Sequence, residues 1–310
     1  MSELFNRTLK VNVTNRLSNM TVTYEGLHIK FRFTRTGTIE KPDTAMVIIN
    51  NIDLSFYNSI EKAENLYIEV FGGYNDNTGL LFSGVAKKYT FGRVDNTSEI
   101  KIELGDSIED VVFRESFTKQ TDYVDMFKKM ISGLGDQLVE LPAQIVDTVK
   151  KLVNDAKAEE KIGVTKNTKT GKTTSGLTIN KKLNKALSDL LNPQGLVADI
   201  VNNEFIVRRM FAESETKMEL APHSGLLEVK RTKVKLKNAK NQDIELDGIE
   251  FETLLMPELF PGKTVLINSK SLSGEYITGE QFTITECVGN GGNFPEDQFT
   301  MTLVAHEQVG

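Results

Sequence analysis

The feature that most constrains this chain is a pair of short segments whose charges mirror each other. Lys233-Val234-Lys235-Leu236-Lys237 is followed, after a five-residue loop, by Asp243-Ile244-Glu245-Leu246-Asp247. Folded back as an antiparallel hairpin, these segments set Lys237 opposite Asp243, Lys235 opposite Glu245 and Lys233 opposite Asp247. On the other face Leu236 meets Ile244 and Val234 meets Leu246. Opposite charges across a ladder attract, and a slip of one residue would bury charge. The pattern therefore predicts a single register.

The rest of the chain falls into three textures. Residues 1–106 read as β-rich. Val22, Tyr24, Leu27, Ile29, Phe31 and Phe33 alternate, with one slip of phase at Glu25-Gly26 where a turn or bulge is expected. Pro42-Asp43 marks a loop, and Ala45–Ile52 is a further strand. Leu66–Phe71 and Leu80–Phe91 follow, separated by turn chemistry over residues 72–79, and Ile100–Leu104 closes the region. Strands this short at this spacing suggest a closed or nearly closed barrel.

Residues 107–192 change period. Tyr123, Phe127, Met130, Ile131 and Leu134 sit at helical spacing, ending at Gly133 and Gly135. Leu138, Leu141, Ile145, Val149 and Leu152 continue it, with Pro142 in a first turn. Residues 163–176 are poor in apolar mass and predict a flexible loop. A helix through Leu183, Ala186, Leu187, Leu190 and Leu191 stops at Pro193. Residues 193–310 return to β. Leu196–Val201 and Glu204–Arg208 flank Asn202-Asn203, a pair that tolerates the positive φ of a tight hairpin turn. Strands are expected at Lys263–Ser269, Gly274–Thr278, Gln281–Val288 and Gln298–His306. The fold class is thus α+β, mainly β: two barrel-like β domains, 1–106 and 193–310, separated by a helical insertion, 107–192.

Composition removes several function classes. The chain is 39% hydrophobic and 26% charged, ordinary values for a soluble globular protein. A net charge of −6 argues against a broad nucleic-acid footprint. The lone Cys287 cannot staple a fold or build a thiolate metal site, and it fits assembly in a reducing cytosol. No apolar run reaches the length of a membrane span, and the first ten residues lack the apolar core of a secretory signal.

Individual motifs fail when tested against the chemistry they imitate. Gly171-Lys172-Thr173 resembles the end of a phosphate loop, but Lys166 occupies the position of the required leading glycine. His306-Glu307 cannot begin a zinc-hydrolase motif, because Gly310 stands where the second histidine belongs. His28, His223 and His306 are scattered, and no Cys/His group has ligand spacing. No Gly-x-Ser-x-Gly elbow is present. Asp76-Asn77 lacks the further carboxylates of a calcium loop. Without Trp, the carboxylates have no aromatic sugar groove around them. The basic stripe Arg231, Lys233, Lys235 and Lys237 would suit phosphates, but the acidic partner strand neutralises it. No catalytic, cofactor-binding or metal-binding residue is assigned, and no cofactor is expected.

An ordered series of structural residues resembles one family. Ile29-Lys-Phe-Arg-Phe is followed by Ala45-Met-Val-Ile-Ile-Asn-Asn-Ile, Leu66-Tyr-Ile-Glu-Val-Phe-Gly-Gly-Tyr and Leu81-Phe-Ser-Gly-Val. Then come His223-Ser-Gly-Leu-Leu, Leu254-Leu-Met-Pro-Glu-Leu-Phe-Pro-Gly-Lys-Thr-Val-Leu-Ile and Gly274-Glu-Tyr-Ile-Thr. This series is similar to the baseplate hub, or late-control protein D, family of contractile phage tails. Residues 136–178 depart from the pattern as an added insertion. The resemblance implies a non-enzymatic homotrimer with two similar barrel domains per chain, adapting a sixfold tail tube to a threefold spike. It implies as partners the tail tube protein, the central spike protein, other baseplate proteins and the tape measure protein. DNA would pass only in transit through the lumen, with no membrane insertion. The expected location is the virion tail, assembled in the host cytoplasm. Other readings are a distal tail protein of a flexible-tailed phage, a hub of a phage-derived contractile particle, and, more remotely, a β-rich enzyme or carbohydrate binder.

Overall fold

A computed structural model describes residues 6–52, 66–75, 77–94, 97–105, 111–118, 121–132, 149, 177–201, 204–211, 217–238, 242–270 and 276–307. The protein is α+β and mainly β. The first half contains β1 (Arg7–Asn15), β2 (Met20–Glu25), β3 (Ile29–Arg35), β4 (Thr44–Asn50), β5 (Leu66–Tyr74), β6 (Asn77–Val94) and β7 (Thr97–Gly105). The middle holds β8 (Val112–Phe117), α1 (Tyr123–Ser132), β9 (Leu177–Lys182), α2 (Leu183–Leu191), β10 (Leu196–Val201) and β11 (Glu204–Arg209). The last part contains β12 (Lys217–Leu220), β13 (Leu226–Lys237), β14 (Asp243–Leu254), β15 (Thr264–Asn268), β16 (Thr278–Gly292) and β17 (Phe299–Glu307).

The strands of the first and last parts form a 13-stranded sheet whose main path runs β13-β14-β17-β16-β3-β4-β7-β6-β5-β1-β2, with β15 on β16 and β12 on β15. The two parts meet where β3 pairs antiparallel with the end of β16, from Lys30 opposite Gly292 to Arg35 opposite Cys287. They share one hydrophobic core, in which Phe31, Phe33 and Phe82 from the first part lie with Phe251, Phe282 and Phe299 from the last.

The last part repeats six strands of the first, β2 having no counterpart. β3, β4, β7, β6, β5 and β1 are neighbours in that order, and so are β13, β14, β17, β16, β15 and β12. The repeat extends to register. Val85 of β6 faces Tyr67 on one side and Gly105 on the other, and Thr283 of β16 faces Thr264 and His306. Toward β5 the ladder slips between Val70 and Phe71, and toward β15 the matching slip falls between Ile267 and Asn268. Toward β7 and β17 the slips lie between Ala86/Lys88 and Ile284/Glu286. Bulges inserted at matching points of both ladders bend the two halves alike. The halves differ at one end: β1 runs antiparallel to β5, whereas β12 runs parallel to β15.

A second core lies in the middle region. The amphipathic α1 and α2 bury Met126, Phe127, Met130, Leu183, Leu187 and Leu191 against the β10–β11 hairpin, whose Leu196, Ala198, Ile200, Phe205 and Val207 join the same cluster. α2 ends as expected from Pro193, in a tight 3-10 turn over Asn192–Gln194. Ile39, in the loop between β3 and β4, inserts into this core. Its N–H donates to the Ala198 carbonyl at 2.8 Å, fastening the middle region to the sheet.

The charge-mirrored hairpin forms in the expected register, with Lys237 opposite Asp243, Lys235 opposite Glu245 and Lys233 opposite Asp247. So does the hairpin around Asn202-Asn203, with Val201 opposite Glu204. Several details differ from the sequence expectation. Residues 72–79 are not a loop throughout: β5 and β6 continue through Gly72, Gly73 and Tyr74, paired to Gly79, Thr78 and Asn77, because glycines are tolerated where backbones close on each other. β1 lies outside the expected strands, although its Leu9, Val11 and Val13 alternate and are buried. Within 107–192 the β8–β9 ladder accompanies the helices; its strands are distant in sequence, so no hairpin signal marks them. The flexible loop over 163–176, and the helices through Leu138 to Leu152 apart from residue 149, lie outside the described residues.

The ladder between the halves requires a close approach at Gly289. A Cβ there would come 2.2 Å from the Phe33 ring, and overpacking of this kind typically costs about 1–3 kcal/mol. Gly289→Ala is expected to lower stability in urea unfolding by that amount, while Gly26→Ala, where nothing lies within 4 Å, loses only the smaller cost of its positive φ.

Candidate functional site

The residues singled out for chemistry are not brought together. His306 is buried at 1% exposure, with Nδ1 at 2.8 Å from the Glu307 carbonyl and its ring edge-on to Phe211. His223 lies in a short 3-10 turn before β13. Among the described residues, no three His, Cys, Asp or Glu side chains converge as a metal site requires. Gly171-Lys172-Thr173 and Asp76 lie outside the described residues. Cys287 is fully buried in the shared core. Burial pushes its thiol up to about 12, so at neutral pH it stays protonated and is a poor nucleophile. No helix among the described residues is long and apolar enough to cross a membrane.

The dense polar constellation is instead the junction between the two halves. It forms because β3 begins beside the tight turn joining β16 to β17, and that turn carries polar side chains facing the first half. His28 stacks on Phe294 with ring centroids 3.9 Å apart. His28 Nε2 lies 2.9 Å from Asp297 Oδ2, and Nδ1 lies 3.2 Å from Asn50 Nδ2. Lys30 Nζ is 3.1 Å from the other Asp297 oxygen. Asn293 accepts from the Ile29 N–H at 2.9 Å and donates to the Leu27 carbonyl at 2.5 Å. Arg7 donates to the Phe294 and Asp297 carbonyls, and the Tyr74 hydroxyl donates to the Phe299 carbonyl at 2.8 Å. Burial alone would push the Asp297 carboxyl up, but hydrogen bonds from His28 and Lys30 outweigh it and hold the group below the usual carboxylate range. Every member except Asn50, which holds His28 from its own half, has a partner across the junction, so the arrangement acts as a clamp.

A second polar group holds the loop between β3 and β4. Asp43 accepts from the Thr36 N–H at 2.9 Å and faces Arg35 Nε at 3.8 Å, both side chains being buried. Arg208 of β11 donates to the Gly37 carbonyl at 2.9 Å. Burial pushes the Asp199 carboxyl up, with the Arg208 charge opposing it.

The β13–β14 hairpin carries its charges outward. Lys233 pairs with Asp247 at 2.6 Å, Lys235 with Glu245 at 3.6 Å and Lys230 with Glu250 at 2.5 Å. Arg231 grips both oxygens of Glu280 on β16. Lys237 reaches Glu40 at 4.0 Å, so the loop between β3 and β4 supplies a carboxylate that the hairpin pattern alone did not anticipate. The stripe is therefore matched locally, as the sequence implied. No local pattern marks the junction clamp, because its contacts span up to 290 residues.

No protein-family model matches the chain, and no curated protein matches it in sequence. Solved structures do share its fold. A tail protein from Neisseria meningitidis MC58 matches with a TM-score of 0.58 at 11% identity, over 98% of this chain and 97% of that one. The 43 kDa tail protein of prophage MuSo2 from Shewanella oneidensis matches with a TM-score of 0.60 at 8% identity, over 97% and 98%. An E. coli component of the type VI secretion system, described as structurally similar to the T4 bacteriophage tail proteins gp27 and gp5, matches with a TM-score of 0.56 at 9% identity, over 91% and 74%. At such identities the likeness is one of fold.

Two outcomes follow from the junction. Asp297→Asn is expected to reduce stability by about 1–3 kcal/mol at pH 7, the usual cost of losing hydrogen bonds to a charged group. The native Asp297 pKa lies below its unfolded value, so its contribution is present above about pH 4 and vanishes as pH falls through the native value. Unfolding curves of the variant and the parent should therefore converge in acid. In addition, Cys287 should resist a water-soluble maleimide in the native state and react only when denaturant opens the core.

Proposed function

We propose that this chain is a structural baseplate hub of a phage tail, adapting a sixfold tail tube to a threefold central spike. The observation that carries the reading is the strand-for-strand repeat of β3, β4, β7, β6, β5 and β1 by β13, β14, β17, β16, β15 and β12. Two similar halves per chain let three chains present six similar sites on one side and three identical sites on the other. Likeness in fold to tail proteins over nearly the whole chain supports the same reading.

The mechanism is mechanical. Each barrel-like half offers sheet edges and loops to the tube protein, while the threefold face seats the spike; other baseplate proteins and the tape measure protein complete the assembly. Binding of this type uses main-chain pairing and shaped surfaces and requires no covalent chemistry. The net charge of −6 suits a lumen through which DNA passes without being held. The protein would be found in the virion tail after assembly in the host cytoplasm. A second reading, a hub of a phage-derived contractile particle, is supported by the shared fold with the secretion-system component.

Particles made without this chain should lack assembled tails under the electron microscope, and density for the chain in intact particles should sit between tube and spike. Complete, infective tails formed in its absence would overturn the proposal.

A further inference from the structure

The two apolar cores meet at a polar seam. They share no residue, and among the described residues Ile39 is the one member of the middle core that comes from outside the middle region. The β10–β11 hairpin forms the seam because both faces of β10 are covered. Leu196, Ala198 and Ile200 lie in the middle core. Val197, Asp199 and Val201 alternate with them and are buried as well, yet Val197 and Val201 belong to neither core. This second face is turned to the sheet: Arg208, opposite Val197 in the hairpin register, donates to the Gly37 carbonyl at 2.9 Å.

The contact has the form of a plug in a socket. The Arg208 side chain lies between Gly37 and Gly262, whose φ angles are +63° and +91°. A Cβ at Gly37 would come 3.1 Å from the guanidinium, and one at Gly262 would come 2.7 Å from Nε. Ile39 passes the other way, into the middle core, and its N–H donates to the Ala198 carbonyl. Just after the hairpin, Phe211 stands edge-on to His306 of β17.

Between these fastenings the seam is poorly satisfied. Asp199 is 3% exposed. Its Oδ1 accepts the Ile200 N–H at 2.8 Å, but Oδ2 has no hydrogen-bond partner among the described residues. A buried polar atom without a partner costs free energy that water returns on opening. Asp199 and Arg208 share the seam with the buried Arg35–Asp43 pair. Taking two carboxylates and two guanidinium groups out of water cancels much of their mutual attraction. The raised Asp199 pKa expresses the same imbalance: burial disfavours its charge more than Arg208 and Arg35 favour it. The apolar cores on either side carry no such cost.

We infer that the middle region is seated on the sheet by a reversible joint and lifts from it as one folded unit, Arg208 withdrawing from the Gly37–Gly262 socket while both cores stay closed. Openings below the cost of global unfolding follow boundaries that few buried apolar contacts cross. Lifting hydrates the Asp199 carboxyl and uncovers little apolar surface, chiefly Ile39, Val197 and Val201. The joint gives the chain a part that moves while the ladder between the halves stays fixed. It requires only the two cores and the seam, and does not rest on the hub reading.

The test is amide-resolved hydrogen exchange of the full chain under native conditions. Corrected for intrinsic rates, the Ile39 amide should exchange about tenfold or more faster than the protected amides of the β3–β4 and β10–β11 ladders, since lifting breaks its bond to Ala198 and leaves both ladders whole. An Ile39 amide as slow as the β3–β4 ladder means that the seam opens only with the whole protein. Exchange of Ile39 together with the β10–β11 ladder means that the middle region melts in place. Either result overturns the inference. Two substitutions separate the joint from motion of the loop alone. Arg208→Met keeps the length of the plug without its charge or donors, and should speed Ile39 exchange about tenfold. Asp199→Asn keeps the volume and removes a charge from the seam, and should slow it about threefold. Both should leave the two ladders unchanged. The same opposite signs should appear in maleimide labelling of Val197→Cys, on the sheet-facing side of β10. Ala198→Cys, one residue along and facing the middle core, should stay protected in every background, and the native Cys287 is buried and silent. Equal labelling at 197 and 198, or Ile39 exchange that answers to neither substitution, refutes the joint.

Discussion

The structure depends on a short backbone ladder between Lys30–Arg35 and Cys287–Gly292. Without it the chain would hold two separate sheets, each with an unpaired edge and an exposed aromatic face. With it, Phe31 and Phe33 enter the same core as Phe282 and Phe299. A ladder between segments so distant in sequence carries a large closure entropy, and the packing that follows must offset it. Glycines at 289, 291 and 292 allow the approach: a side chain at any of them would run into Phe33, Phe299 or Asp297.

The polar clamp sits at one end of this ladder, and the Arg35–Asp43 group, which holds the loop between β3 and β4, sits at the other. Neither resembles a reaction centre, since their carboxylates and cations face each other rather than open space. Polar groups that are hydrogen-bonded across a joint, as in the clamp, fix one arrangement among alternatives. Here that arrangement is the relative placement of two similar halves. The middle region is tied in separately, through Ile39 and the Arg208 contact to Gly37.

The protein shares its fold with distant tail proteins at 8–11% identity. What is held in common is the fold, and many apolar sequences satisfy a given pattern of burial. Sequence similarity fades while fold remains. Position by position the halves of this chain show the same freedom: Val85 corresponds to Thr283, and Phe91 to Gly289, in equivalent places.

The sequence by itself determined the mainly β class, the register of both hairpins, the end of α2 before Pro193 and the neutralised basic stripe. These rest on period-2 alternation, facing charges and turn residues, which act within a few positions of each other. β1 carried the same alternation but lay before the first recognisable turn. The β8–β9 ladder, the junction and its clamp around His28 and Asp297 were decided only by the tertiary structure. Their partners are far apart in the chain, and no local pattern records which distant edge a strand will meet. The repeat of topology was hidden for the same reason: hydrogen-bond order is a property of backbones in space, and the side chains that satisfy it in each half are different.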